Sequence, residues 1–443
     1  MSRTLLPTIK DLPSHAGIRS TLPPASCVWP LEKGSADSRL RDDEMRQQAL
    51  IDPYPADDWR WPKRPVIFIS DTHADAEAFE ASLVASGGVQ LNDTPGQGRF
   101  KLTKQGKKAE FIIGGDCLDK GPSNLQMLRS LKRLYDLGAR VTLLAGNHDL
   151  RLMMGLLAMQ QKRHTGNEHL FARMGKKVIP LFREVFDSWP ERNWLKGVPD
   201  ADTCRSLLLP ADDWFERFPA HAEGILTEAG VARELKKMRS KASSFERHCL
   251  NAGMDIRTVY AVARHCQRLF LHPKGEFYWF FKKMQLVRRT GSFLFLHAGL
   301  DDVMSRDIAE RGLKKVNKRF RKALHKDLFS FYYSSLANTF RTKYRAADLP
   351  LSDAGVQQIH GCGVRALVHG HINRTRGQRL ALRQGLLHVE ADITLDRNSR
   401  RQEGLRGVGC GATIIDPGRH IIGISNDYPF AKVFRPAPLN PAR

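Results

Sequence analysis

Apolar residues fall into two patterns along this chain, short unbroken runs and longer stretches of helical spacing. Val66-Ile67-Phe68-Ile69, bounded by Pro65 and Ser70, is β-branched and aromatic throughout, as a strand buried on both faces requires. Phe111-Ile112-Ile113 and Val141-Thr142-Leu143-Leu144 repeat the pattern. Between those two runs, Leu125, Leu128, Leu131, Leu134 and Tyr135 follow helical spacing and predict a helix over Asn124–Leu137. Strand, helix, strand predicts a mainly parallel, buried sheet, whose functional loops gather at the carboxyl ends of its strands.

From residue 150 the pattern changes. Leu150, Met153, Met154 and Leu157 repeat at helical spacing, and similar patches recur near Ala232–Met238 and Val259–Phe270. Methionine adapts to irregular gaps, so this stripe reads as core packing rather than a ligand surface. Strand-like runs resume at Phe293–Leu296, Ala366–Val368, Leu386–Ala391, Ala412–Ile415 and Ile421–Ser425. They predict a second sheet packed on the first. Residues 1–60 carry several prolines and mixed charge around Arg39–Arg46, which predicts an extension with little regular structure, anchored by Trp59 and Trp61. The expected organisation is therefore extension (1–60), first half of a catalytic domain (61–149), mostly helical insertion (150–290) and second half (291–435).

Charge alters the picture of partners. Among 443 residues, 70 Lys and Arg face 47 Asp and Glu, a net charge of +23 that favours polyanions such as nucleic acid, nucleotides or phosphoprotein. Arg311–Lys326 concentrates eight of these cations with no acid. Leu313, Val316, Phe320 and Leu324 mark one face of it as a helix, and the basic face is either merely solvated or a surface that attracts phosphate. The seven cysteines are odd in number and show no Cys-x-x-Cys pair, which fits a reducing compartment. No apolar run reaches the length of a membrane span, and Met1–Pro30 lacks the apolar core of a secretory signal. A cytoplasmic protein without a membrane partner is expected.

Candidate chemistry lies in five short polar motifs, most of them directly after an apolar run. They are Asp71-Thr72-His73, Gly115-Asp116-Cys117-Leu118-Asp119-Lys120-Gly121, Gly146-Asn147-His148-Asp149, His297-Ala298-Gly299 and His369-Gly370-His371. Asp71 and His73 can reach one cation from the same strand end, and the two oxygens of Asp116 can bridge two cations. Asn147 adds a carbonyl oxygen, and His297 and His371 add imidazole nitrogens. Oxygen and nitrogen donors without thiolate suit two divalent cations, Mn²⁺ ahead of Fe or Zn²⁺. Two cations a few ångströms apart activate a shared water and stabilise both the attacking and the leaving oxygen of a phosphate ester. Each motif alone is weak, and a lone histidine after a strand is commonly structural; the ordered set is specific.

That ordered set resembles the calcineurin-like metallophosphoesterase superfamily, and most closely its phosphoprotein-phosphatase branch, which carries Gly-Asp-x-x-Asp-Arg-Gly and Gly-Asn-His-Glu/Asp. The His-Ala-Gly and Gly-His forms resemble diadenosine tetraphosphatase-like bacterial members. The resemblance spans about 61–150 and 291–425. It implies a four-layer α-β-β-α sandwich of two mixed sheets, with Asp71, His73 and Asp116 on a first metal and Asp116, Asn147, His297 and His371 on a second. It further implies His148 as proton donor to the leaving group, Asp119 as the carboxylate that orients it, and direct attack by a metal-bridging hydroxide. An imidazole held by a carboxylate suits that donor role.

Departures from the family pattern bear on substrate. Lys120 stands where the branch has Arg, so phosphate would be held by a point charge rather than a fork. His369 is an additional histidine, either ligand or structural. Arg341, Arg345 and Arg374 are equal candidates for a second phosphate clamp, and Asp392 is either an orienting acid or a turn residue. The leading expectation is a phosphatase acting on phosphoserine/phosphothreonine protein or small phosphoesters. The alternative is a nucleotide or RNA-end pyrophosphohydrolase of dinucleoside-polyphosphate type. A third reading, from a different class, is a nucleic-acid-binding protein with a residual metal site.

Overall fold

The computed structural model describes residues 22–23, 25–30, 58–92 and 99–436. Two sheets stack face to face. The larger has eight strands in the order Ser26–Val28, Ala431–Phe434, His420–Ser425, Gly411–Asp416, Val66–Ile69, Glu110–Ile113, Arg140–Leu144 and Met284–Gln285. The smaller runs Arg379–Arg383, Leu386–Glu390, Ala366–His369, Phe293–Phe295 and Arg288–Thr290. Both mix parallel and antiparallel pairs, as the implied sandwich requires.

Side-chain alternation explains why the runs are apolar on every residue. Val66, Phe68, Ile112 and Leu144 point into the layer between the sheets, where they meet Phe293, Phe295, Ala366 and Val368. The ring centroids of Phe68 and Phe295 lie 5.9 Å apart across that layer. Ile67, Ile69, Phe111, Ile113, Leu294 and Leu367 point the other way, into the core shared with the helices. The helix at Asn124–Asp136 starts at Ser123, whose hydroxyl caps Gln126 N, and it buries Leu125, Leu128, Leu131 and Leu134.

Two strand assignments differ from expectation. Gly411–Asp416 and His420–Ser425 join the first sheet, not the second, because Gly411–Asp416 pairs antiparallel with Val66–Ile69. The extension also contributes a strand: Ser26–Val28 pairs in parallel with Ala431–Phe434. Trp59 is buried against Trp61 and Phe293, while most of the extension, including Arg39–Arg46, lies outside the described residues.

Between Leu144 and Met284 the described chain is helical, including Asn147–Ala158, Ile179–Ser188, Glu228–Asn251 and Ile256–Leu271. Leu150, Met153, Met154 and Leu157 are all buried, so the methionine stripe is core. The basic stretch forms the end of the helix Asp302–Lys326, which kinks at Gly312 (φ +73°). Val316, Phe320 and Leu324 face inward, and among the described residues Lys314, Lys315, Lys318, Arg321, Lys322 and Lys326 have no carboxylate partner. No described helix is long and apolar enough to cross a membrane.

Candidate metal centre

Parallel strands bring the motifs to one end of the sandwich. Val66–Ile69, Glu110–Ile113 and Arg140–Leu144 are adjacent and parallel, so Asp71, Asp116 and Asn147 follow neighbouring carboxyl ends. Phe293–Phe295 and Ala366–His369 are likewise parallel and deliver His297 and His371 from the other sheet. The loops that carry these groups are backbone-strained. Asp71, His73, Asp116, Asp119, Lys120 and His371, six of the nine candidate residues, have φ between +43° and +70°. Side chains rarely accept that region except where surrounding contacts hold them, and such residues cluster at functional sites. Glycines permit the close approach: a Cβ on Gly146 would lie 2.0 Å from Asp116 N, and one on Gly370 would lie 1.9 Å from Asp71 Oδ2.

Each of three histidines is oriented by a backbone carbonyl. His73 Nδ1 meets Leu118 O at 3.2 Å, His297 Nδ1 meets Gly114 O at 2.8 Å, and His371 Nε2 meets Arg341 O at 3.1 Å. Each thereby donates one ring N–H outward and turns its other nitrogen toward the site, the arrangement typical of metal-ligating imidazoles. Asp71 is held by Ser70 Oγ at 2.5 Å and by His371 N at 3.0 Å. Asp116 Oδ1 accepts from His148 N at 2.7 Å, while its Oδ2 lies 3.5 Å from His297 Nε2 and 3.9 Å from both His73 Nε2 and His148 Nε2.

The donor set fits cations. Asp116, His297 and His371 form one compact group of possible ligands, and His73, Asp116 and His148 form another. Asn147 is the clearest indicator. Its Oδ1 faces acceptors only, among them His297 Nε2 at 3.2 Å; turned over, its amide nitrogen would donate to His297 Nε2, to His371 Nδ1 (2.8 Å) and to Asp116 Oδ2 (3.3 Å). Atoms of three other residues thus converge on the Asn147 side chain, where an N–H donor or a cation suits them. The chain answers with its own charges. Burial opposes a proton on His297, yet Asp116 and Asp71 beside it raise it to about 10. Burial also works against ionised Asp116, but His297 and His148 outweigh it and hold that carboxyl well below its usual range.

The proton-donor pair is also assembled. His148 Nδ1 and Asp119 Oδ2 are 2.8 Å apart, both buried, leaving Nε2 directed toward Asp116. Burial lifts Asp119 to about 7, with Arg151 acting in the opposite direction, and burial also drives His148 well below its ordinary value. Lys120 is positioned differently from a free phosphate clamp: its Nζ lies 2.8 Å from His73 Nε2. Burial and that ammonium bring His73 down to about 3.

The remaining candidates separate. His369 lies in its strand with Nδ1 on Gly370 O at 3.0 Å and Nε2 on His388 Nδ1 at 3.1 Å, so both its ring nitrogens are engaged. Arg374 is paired with buried Glu390, and Arg345 is exposed. Arg341 alone touches the site, through its carbonyl on His371, while its guanidinium lies 4.4 Å from the Tyr332 ring centroid. Asp392 is buried, accepts from Thr394 N at 3.0 Å and is pushed up by burial and by Asp71. Two residues were given no role in the sequence reading, although Asp149 stands in the third motif. Asp149 Oδ1 accepts from Cys117 N and Leu118 N at 3.0 and 3.1 Å and so fixes the loop that presents Asp116 and Asp119. Arg151, one helical turn after Asn147, reaches within 3.9 Å of Asp119; its spacing of four from Asn147 was the available signal.

Residues 64–240 match the family model for the calcineurin-like phosphoesterases. No curated protein matches the chain in sequence. Among solved structures, a cold-active protein tyrosine phosphatase is 13% identical with a TM-score of 0.44, covering 91% of this chain and 88% of its own. A cold-active protein-tyrosine phosphatase of a psychrophilic Shewanella species is 13% identical with a TM-score of 0.40, covering 84% and 80%. A protein serine/threonine phosphatase from Saccharomyces cerevisiae is 13% identical with a TM-score of 0.32, covering 86% and 82%.

Proposed function

From the premise that the chain carries a calcineurin-like phosphoesterase domain and is a phosphoesterase hydrolase, we propose a dinuclear-metal phosphatase that removes phosphoryl groups by direct hydrolysis. The observation that carries this reading is the convergence of Asn147, His297, His371 and Asp116 beside the His148–Asp119 pair. Two divalent cations, on Asp71, His73 and Asp116 and on Asp116, Asn147, His297 and His371, would supply the hydroxide nucleophile and neutralise phosphoryl oxygens. Thiolate-free donors favour Mn²⁺, with Fe or Zn as alternatives.

The chain's own groups do the rest. Lys120, freed from His73 Nε2 when that nitrogen takes a metal, would hold a phosphoryl oxygen as a point charge, and Arg341, on the segment that also fixes His371, would reach one on turning its guanidinium from Tyr332. As the new phosphorus–oxygen bond forms, the bond to the departing oxygen breaks and its electron pair leaves with that oxygen. His148 hands its Nε2 proton to it, and Asp119, whose carboxyl burial pushes up toward protonation, holds the ring at Nδ1 and returns a proton there. No covalent phosphoenzyme is needed. Phosphoserine or phosphothreonine protein and small phosphoesters are the simplest substrates of this chemistry. A nucleotide or RNA end is the second reading, favoured by the basic flank around Arg151. The seven cysteines, all free, fit a cytoplasmic setting, and the unpaired basic face of Asp302–Lys326 is available for nucleic-acid contact.

The test offers the Mn²⁺-loaded protein p-nitrophenyl phosphate, a phosphopeptide, diadenosine tetraphosphate and 5′-triphosphate RNA. Turnover of at least one is expected. No turnover of any, together with tight salt-sensitive RNA binding, would replace the enzyme by a nucleic-acid-binding protein with a residual metal site.

A further inference from the structure

The helical segment after Asn147 places more cations than acids beside the leaving-group side of the site. Arg151 lies on the helix Asn147–Ala158, one turn beyond Asn147, with Nη1 3.9 Å from the same Asp119 oxygen that holds His148. Lys177, from the 3₁₀ turn Ala172–Val178, has no carboxylate partner among the described residues. Lys241, from the helix Glu228–Asn251, packs across that turn: its Nζ donates to Arg173 O and would lie 3.4 Å from a Cβ on Gly175. Arg173 is committed elsewhere, to Glu234 and to the Tyr332 hydroxyl at 2.6 Å. The Arg173 and Arg341 guanidiniums lie 4.1 and 4.4 Å from the Tyr332 ring centroid, which ties this cluster to the loop that fixes His371.

These cations act on one another. Burial and then Arg151 bring Lys241 down to about 6, and burial, Arg151 and Lys120 bring Lys177 down to about 8. Like charges gathered this closely are costly unless an anion joins them. Asp119 pairs with Arg151 at 3.9 Å and is engaged by His148 at 2.8 Å, and among the described residues no carboxylate pairs with Lys177 or Lys241.

We propose that Arg151, Lys177 and Lys241 form a second anion subsite, which takes a phosphate on the leaving group, so that the substrate is a phosphoanhydride chain. The subsite rests on the phosphatase reading, since His148 defines the leaving side. In the reaction water's oxygen bonds to the terminal phosphorus, the anhydride phosphorus–oxygen bond breaks, and its electron pair stays on the shortened chain. Arg151 and the two lysines neutralise that chain, and His148 protonates its new terminal oxygen. The second phosphate could also be a separate ester on a doubly phosphorylated peptide. The position of Arg151 directly behind the donor pair favours the anhydride, where the next phosphate follows the departing oxygen immediately.

The experiment compares inorganic tripolyphosphate with p-nitrophenyl phosphate on the Mn²⁺-loaded full chain, in the wild type, Lys177→Gln and the Lys177→Gln/Lys241→Gln double variant. Only the first substrate presents phosphate on the leaving side. The ratio of kcat/KM values should favour tripolyphosphate in the wild type and fall about tenfold or more in the double variant, mainly through KM. Calorimetric titration of inorganic pyrophosphate into chelator-treated protein should show weaker binding in both variants. A ratio and a pyrophosphate affinity that stay within about twofold of wild type in both variants would overturn the subsite, as would a wild type that prefers p-nitrophenyl phosphate. A doubly phosphorylated peptide turned over faster than tripolyphosphate would overturn the anhydride assignment. If the wild type hydrolysed neither test compound, the phosphatase reading would fall, while the pyrophosphate titration would still decide the subsite.

Discussion

Two buried charge clusters sit close together in this protein and have opposite characters. Glu390 ends the strand Leu386–Glu390, fully enclosed, with its oxygens taken by Arg374, by Arg379 at 2.7 Å and by Arg383 at 2.6 Å. None of these four residues has a positive φ. At the neighbouring strand ends, Asp71, Asp116, Asp119 and the imidazoles of His73, His148, His297 and His371 gather on strained backbone with Lys120 and Arg151 as the nearby fixed cations. In the first cluster three guanidiniums close on one carboxylate, which is architecture. The second gathers carboxylate, amide and imidazole groups at metal-ligand spacing on strained backbone, the pattern of a place for ligands rather than a device for stability.

Substitutions can break that contrast. Asp116→Asn removes the carboxylate shared by both proposed metals and should abolish turnover of p-nitrophenyl phosphate while leaving the folded protein's thermal unfolding near that of the wild type. His148→Asn should retain metal yet lose roughly 100- to 10,000-fold in kcat on substrates with poor leaving groups. Intact turnover there would remove the proton-donor role. Glu390→Gln works on the other cluster: it leaves three guanidiniums around a neutral amide and should destabilise the fold by about 3–5 kcal/mol in denaturant titration, with metal content of the folded fraction unchanged.

The pH dependence of stability sharpens the same point. Burial opposes ionised Glu390, but Arg379 and its neighbours outweigh burial and hold it at about 2, against 4.5 in a free chain. The native state therefore binds fewer protons between those values. The stabilisation, about 3 kcal/mol, is complete above pH ~4.5 and lost as pH falls toward ~2. Acid unfolding monitored by circular dichroism should show this loss in the wild type and not in Glu390→Gln. The smallest effect is expected of Ser70→Ala, which removes one hydrogen bond to Asp71 and should weaken Mn²⁺ affinity about tenfold in a calorimetric titration.

Much of the sandwich was legible because strands buried on both faces leave no polar position, as Val66–Ile69 and Phe293–Phe295 do. Pairing partners were not legible. Apolar alternation in Ala412–Ile415 is the same whether the strand joins one sheet or the other, and only the antiparallel register with Val66–Ile69 decides it. Ser26–Val28 is too short and too exposed to announce itself, since its partner strand lies some 400 residues later in sequence (Ser26 opposite Ala431). In the site, motif spacing brought all nine candidate residues to attention, because each follows a strand end. The Glu390 clamp was invisible for a different reason: Arg379 and Glu390 are register partners across a hairpin, and charge pairing of that kind depends on the strand register. Arg151, Lys177 and Lys241 lie on three separate elements, so only the fold makes them a group.

Metal stoichiometry tests the central claim most directly. Purified full-length protein, equilibrated with Mn²⁺, passed through a desalting column and analysed by plasma mass spectrometry beside Asp116→Asn, should carry about two Mn per chain, and the variant less than one. A wild type with no more metal than the variant would contradict the account.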